Sequence, residues 1–545
     1  MYLSHGRTRR FLSGVMCLCT LSILLVACGG GSSPTTSAGK LAAKQVLTFP
    51  IVGTADIDTL DPAAGPATNG YVAVMMMYSG LVRAAKNLSV LPDQATSWDI
   101  SADNKVYTFH LRHDITFSDG TPVTAQTYVY TWTRALLPAV NSPIATFFEG
   151  NIVGASDVNS GKTKTLAGVR ALDDYTLQVT LTQPTPYFLE ELINPLFFPL
   201  NQKVIDKYGQ KKWMLQAAGN PVGTGPFMLK SWTHNVRVVL VPNPHYYGPK
   251  TKLTEVDMPL VSDPSTAYKS YRAGQYDFIW DMTPEDQQTA ESTRGFIRNP
   301  LLQTDLLFFL TTKPPFDNVA VRQAFAYATD KSTLAQAIFK GAVTPAPTII
   351  PPGMPGYQPD YPGLQHDAAR AKQLFQSVYP NAASAPTITF TYPTSQVPTQ
   401  EAAALQQMWQ NALGIQVKLQ GMELSSYVNL LIKHQIQLGF MSWTADFPDP
   451  YDWMTLILHS GSASNNGNWS NPTFDQLVTK ADTLKGDARI ALYNQAEQIA
   501  ITQVALLPLD HGTMTAIIPS WVHGVTLNGQ GLYFGNWSDV YLLQH

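Results

Sequence analysis

The 545-residue chain reads as a mixed α/β or α+β protein built in more than one lobe. Three observations predict this. The length exceeds what one hydrophobic core organises, since single cores stop growing near about 250–300 residues. Strand-like and helix-like patterns alternate from one end to the other. With 45% hydrophobic and 14% charged residues, the composition is that of a packed globular chain.

The elements follow in order. "QVLTFPIV" (45–52) opens with a strand, and "VAVMMMYSGLV" (72–82) is an apolar run suited to a buried helix. "KVYTFHLR" (105–112) alternates apolar Val106, Tyr107, Phe109 and Leu111 with polar partners, the period of a strand. "ITFSDGTPV" (115–123) adds a short strand and an Asp119-Gly120 turn. "TAQTYVYTWTRAL" (124–136) has a Thr124 cap and helical spacing. "YTLQVTLT" (175–182) and "VRVVLVPNPHYY" (236–247) are strands, and "STAYKSYRAG" (265–274) is a helix ended by Gly274. "VRQAFAYATDKSTLAQAIF" (321–339) reads as one amphipathic helix. "EAAALQQMWQNALG" (401–414) is another, ended by Gly414 before the strand "IQVKLQG" (415–421). "ARIALYNQAEQIAITQV" (488–504) is a late helix. The proline-rich "TPAPTIIPPGMPGYQPDYPG" (344–363) reads as an ordered surface excursion.

The first 27 residues have the layout of an export signal. "HGRTRR" is a basic start, and "FLSGVMCLCTLSILLVA" is an apolar stretch too short to span a bilayer comfortably. It closes on Leu25, Ala27 and Cys28, which resembles the bacterial lipobox, in which the cysteine is diacylated and becomes the mature N-terminus. Cys17 and Cys19 leave with the signal, so Cys28 stands alone and no internal disulfide is expected. The Gly/Ser/Thr-rich run after it is a flexible tether. Without the first 27 residues, 33 basic face 39 acidic residues, a net −6 that disfavours nucleic acid as a partner.

The stretch "FMSWTADFPDPYDWM" (440–454) holds the candidate chemistry. Asp446, Asp449 and Asp452, three apart, suit metal ligands, a catalytic carboxylate set, turn residues, or one ligand-binding carboxylate with structural neighbours. Pro448 and Pro450, with no glycine at the turn, depart from a calcium-loop pattern. Asp449, before Pro450, is expected to organise the turn, and Asp452 to be solvated. No zinc-protease, nucleophile-elbow, phosphate-loop or dinucleotide motif occurs, so catalysis is disfavoured.

Five stretches in a fixed order carry a family resemblance: "TLDPA" (59–63), "ATSWDISADNKVYTFHLRHDITFSDGTPVTAQ" (95–126), "VGTGPFMLKSW" (222–232), "VRQAFAYATDK" (321–331) and "WTADFPDP" (443–450). The chain resembles the family 5 bacterial extracellular solute-binding proteins, the oligopeptide and dipeptide receptors of ABC importers. That resemblance implies an α/β clamshell of the type II periplasmic-binding class with an additional third domain. Lobe I would comprise 45–82, 219–302 and 509–545, the extra domain 83–218, and lobe II 303–508, after a signal (1–27) and tether (28–44). It also implies that Asp446 holds a peptide's α-ammonium, Trp443 walls the pocket, and Ser442 and Thr444 present backbone to the ligand. Thr68 and Asn69 would contribute from the facing loop, with Tyr78 as a cleft aromatic.

Phe440 stands where some peptide receptors carry an arginine for a peptide carboxylate; Lys433, His434, Arg272 and Lys313 are candidate replacements. The implied partners are a peptide and the permease and ATPase subunits of an importer, with a monomeric receptor, no cofactor and no metal. The implied location is the outer face of the cell membrane, held by the lipid on Cys28. The rival readings are an oligosaccharide receptor of the same fold stacking sugars on Trp443 and Trp453, and a peptide-acting enzyme.

Overall fold

The computed structural model describes residues 39–65, 70–142, 145, 148, 150–210, 213, 214, 222–532 and 536–545. The export signal, Cys28, the tether up to residue 38, Thr68 and Asn69 lie outside these described residues.

Val46–Thr48 pairs in parallel with Glu255–Val261, beside which Arg237–Pro242 and Phe227–Thr233 follow antiparallel. Ile51–Val52 adds further along Glu255–Val261, completing five strands. A second, antiparallel sheet orders Ala95–Ile100, Val106–Leu111, Thr176–Thr180 and Val169–Asp173. Its Val106–Leu111 strand buries Tyr107, Phe109 and Leu111 alternately, as the period of two requires. The helix Ala125–Leu136 begins with a capping box between Thr124 and Thr127.

Residues 83–218, the expected extra domain, pack against the first lobe. Phe109, Trp132 and Phe148 share one buried cluster with Leu47, Val74 and Phe227. Arg134 of the 125–136 helix reaches Asp61 at 2.6 Å in a buried ion pair, and Trp213 Nε1 donates to the same carboxylate at 3.3 Å. The expected third domain therefore shares its core with the first lobe.

The third sheet has seven strands. Its order is Ile279–Trp280, Leu506–Ile517, Phe296–Phe309, Leu438–Thr444, Ile388–Pro393 and Val417–Met422, with Thr344–Pro345 added beside 506–517. Over its apolar half both faces are covered, so the strands there are apolar on both sides. Leu306, Phe308 and Met441 face one cluster, and Leu307, Phe309 and Phe390 the other. The 296–309 and 506–517 strands run unbroken past the expected lobe boundaries at 302/303 and 508/509. Their register shifts between Pro300 and Thr304 and again between Asp305 and Leu306.

Two expectations change. The 321–339 pattern is two helices, Val319–Ala328 and Lys331–Ala337, because Asp330 caps the second by accepting from Thr333 N at 3.0 Å. The proline-rich segment is not a surface excursion throughout. Ile349 and Ile350 are fully buried, and both their N–H groups donate to Glu497 Oε1, at 2.9 and 2.7 Å. An apolar pair flanked by prolines is drawn inward and needs this carboxyl to satisfy its backbone.

Candidate ligand cleft

The strand Leu438–Thr444 pairs antiparallel with Phe296–Phe309 along its whole length. On its other edge, Ile388–Pro393 pairs only with Leu438 and Gly439. From Phe440 onward no further strand covers that edge among the described residues. The Phe440 carbonyl accepts from the Tyr427 hydroxyl, so the row of backbone groups open to an extended chain begins beyond it.

Side chains alternate along it. Met441 and Trp443 turn toward one core cluster. Phe440, Ser442 and Thr444 lie on the opposite face, where Phe440 packs on Phe390 with ring centroids 4.9 Å apart. Ser442 and Thr444 are exposed, and one side chain bridges them: Gln303 Nε2 donates to Ser442 Oγ at 3.1 Å, and Thr444 Oγ1 donates to Gln303 Oε1 at 3.2 Å.

Beyond the strand the three aspartates divide. Asp449 is tied at both oxygens to Arg489, each contact 2.6 Å, and its Oδ1 also accepts from Tyr451 N at 2.9 Å. That pair is buried and fixes the turn, as expected. Asp452 is not solvated: it is 0% exposed. Its Oδ2 accepts from Trp443 Nε1 at 3.0 Å and from Asp446 N at 3.1 Å, so it sets both the indole and the backbone of the neighbouring acid. The short 451–454 helix folds Asp452 back beneath the strand end, which its polar character alone does not predict.

Asp446 has its backbone held from both sides, by Asp452 at N and by Gln530 Nε2 at its carbonyl, 3.2 Å away. Among the described residues none donates to its carboxylate. Burial pushes that carboxyl up to about 7, and burial together with the charge of Asp446 raises Asp452 as well. No cation offsets either. From the facing lobe, Tyr71 at the start of the helix Tyr71–Met77 lies within electrostatic reach of Asp446; burial first, then Asp446, raises its phenol.

Tyr78 is not a cleft residue. It is 1% exposed in the core, and its hydroxyl contacts Met214 Sδ at 4.0 Å. The 222–226 segment packs directly on this backbone, with Gly225 N donating to Met77 O at 2.9 Å, and turns the ring inward. Trp453 is likewise 0% exposed, so it offers no platform for a sugar ring. Lys433, Arg272 and Lys313 are exposed, and His434 contacts Asn466 O.

A cavity of about 640 Å³ opens beside Gln303. Its walls come from 263–287 on one side and from 339–343 and 395–398 on the other, with Gly512 and Thr513 between them. Gln303, Asp305, Asp281 and Tyr71 were not picked out by the sequence, where each stands in an unremarked apolar or turn context.

A half-paired strand ending in an unpartnered carboxylate, between two lobes joined by continuous strands, is the architecture of a type II solute-binding clamshell. More particularly, the chain belongs to the family described as bacterial extracellular solute-binding proteins, family 5, whose middle-region model matches residues 89–465. It is 31% identical over 533 residues to the oligopeptide-binding protein OppA of Bacillus subtilis, across 94% of this chain and 97% of that one. It is 32% identical over 515 residues to the probable deoxycholate-binding periplasmic protein YgiS of Escherichia coli, across 93% and 95%. The structure of the Escherichia coli murein tripeptide binding protein MppA superposes with a TM-score of 0.81 at 30% identity, across 93% of this chain and all of that one. No helix among the described residues is long and apolar enough to cross a membrane.

Proposed function

We propose that this chain is the capture subunit of an ABC importer, that it binds peptides between its lobes, and that Asp446 receives their α-ammonium. The carrying observation is the Asp446 carboxylate, half-buried, without a cation among the described residues, and seated at the end of the half-covered 438–444 strand. An extended peptide adding to that edge places its first charge at the acid, where a desolvated ion pair is strongest. Trp443, oriented by Asp452, walls this end, and Tyr71 approaches from the other lobe. Ser442 and Thr444 serve the ligand through backbone and through the hydroxyls that Gln303 now occupies. Thr68 and Asn69 are proposed on the family resemblance alone. Phe440 contributes packing, since its ring lies on Phe390. Ligand contacts to both lobes favour the closed form, and the permease reads that form.

The test is calorimetry with short peptides and their N-acetylated counterparts. Free peptides bind and acetylated ones bind at least roughly tenfold more weakly; equal affinities refute the ammonium-docking role. The same acid sets a pH dependence. Ligand-free Asp446 titrates at about 7, so below that pH an incoming ammonium displaces a proton. Affinity then falls by up to about tenfold per pH unit as pH drops from 7 to 5, and levels off above 8. A flat profile over that range is incompatible with this role.

The receptor is further proposed to be a monomer held to the outer membrane face through Cys28. Cys28→Ser moves it from the membrane fraction to the soluble one; unchanged partitioning on fractionation overturns the anchor.

A further inference from the structure

The 640 Å³ cavity has a floor made by one face of the sheet. Asp305 lies opposite Ser442 on one neighbouring strand and opposite Asp510 on the other, so the three side chains share a face. Gly512, two residues past Asp510, is on that face too: a Cβ there would meet Gln303 Cδ at 2.9 Å. Above the floor, the helix Gln396–Leu413 brings in Glu401 one turn beyond the residues that line the cavity.

Three carboxyls therefore gather at one wall: Asp305 on the surface of the cavity, with Asp510 (3% exposed) and Glu401 (5% exposed) behind it. Asp510 Oδ1 and Glu401 Oε1 are buried without a hydrogen-bond partner. Asp305 and Glu401 both act electrostatically on Asp510, and no cation acts on any of the three. Burial holds their protons on, Glu401 up to about 8. Across the cavity Asp281 and Glu285 add two more acids, and no lysine, arginine or histidine is among the lining residues. Helix N-termini also face this space, each worth about half a positive charge. The helix Pro264–Arg272 is already capped by the Asp263 side chain, and Pro284–Ala290 has Glu285 and Asp286 in its first turn. What remains positive is one helix end, facing five acids of which the buried ones take up their charge only when a cation enters.

We propose that this cavity selects a positively charged side chain, a lysine or arginine within the first three or four residues of the bound peptide, and excludes a carboxylate. The inference rests on the peptide reading above and deepens it. Its spacing follows from the strand: Ser442 lies four residues from Asp446, about 13 Å along extended chain, so a ligand whose ammonium sits at Asp446 reaches the cavity within that many residues. The entering cation supplies the counter-charge that Asp305, Glu401 and Asp510 lack, and a carboxylate there meets acids and no side-chain cation.

The experiment is calorimetry at pH 7.5 on tetra-alanine and on peptides with lysine, norleucine or glutamate substituted singly at positions two, three and four. At one position at least, lysine binds roughly tenfold or more tighter than glutamate, with norleucine between them. Glu401→Gln and, separately, Asp305→Asn shrink that lysine-to-glutamate ratio; a fold check by circular dichroism accompanies both. If neutral and charged peptides bind but lysine never exceeds glutamate, or the ratio is untouched in both variants, the charge selection is wrong while the peptide reading stands. If no peptide binds, tetra-alanine included, both are overturned.

Discussion

Asp446→Asn weakens peptide binding by about 1.5–3 kcal/mol, the range for losing a hydrogen bond to a charged group, and at pH 8 it leaves the ligand-free protein more stable than the wild type. The two effects have one origin. The folded carboxyl titrates near 7, above its ordinary 3.8, because burial disfavours the charge and no cation compensates it. The folded form therefore holds the proton more tightly than the unfolded chain does. Stability contributed by this group is present at low pH and is lost as pH rises from about 4 to 7. Asparagine cannot ionise and escapes that loss. Denaturation of ligand-free protein at pH 5 and pH 8 reads the sign: the variant's advantage appears only at the higher pH. A variant less stable than wild type at pH 8 would make Asp446 a turn residue.

Arg489→Ala moves stability the other way, by about 3–5 kcal/mol of loss, because it strands the Asp449 carboxylate in the interior. The guanidinium donates to both oxygens of Asp449 and to Tyr493, whose hydroxyl in turn donates to Asp482 at 2.5 Å. Its plane also lies 5.4 Å from the ring of Tyr187, which stacks on Tyr451 at 4.2 Å. Urea unfolding measures the loss, and the double variant Arg489→Ala/Asp449→Ala recovers part of it because no lone charge is then left. A loss below about 1 kcal/mol would mean the pair is as weak as an exposed one. Removing one carboxylate and stranding another three residues away thus move stability in opposite directions, which separates ligand capture from scaffold.

How much of this was legible depended on distance along the chain. The half-covered strand, its tryptophan and the acid after it stand within "FMSWTADF", and the alternation along that strand is local. The signals for the helices at 125–136 and 396–413 were local as well, a capping threonine and a terminal glycine at φ 70°. Asp452 was misjudged because a polar residue opening a four-residue helix carries no local sign of which way that helix folds. The single helix expected across 321–339 ignored a competing cap, Asp330. Gln303 and Asp305 reach the site from about 140 residues away, and Tyr71 from farther still, so only the sheet order brings them in. The clustering of Asp305, Glu401 and Asp510 is legible in no window of sequence.

The paired strands 296–309 and 506–517 pass through both halves of the molecule without a break. A hydrogen-bonded ribbon stretches little and twists or bends at its irregular register, so it acts as the fulcrum of a lever. Groups mounted on it, Gln303, Asp305 and Asp510, would keep their mutual spacing as the lobes turn about it, and so would Asp281, tied to Thr515 of the same ribbon, whereas the 395–398 wall stands off it. The ligand is then met by an electrostatic grip already set when the jaws are apart, and the stroke adds enclosure rather than charge.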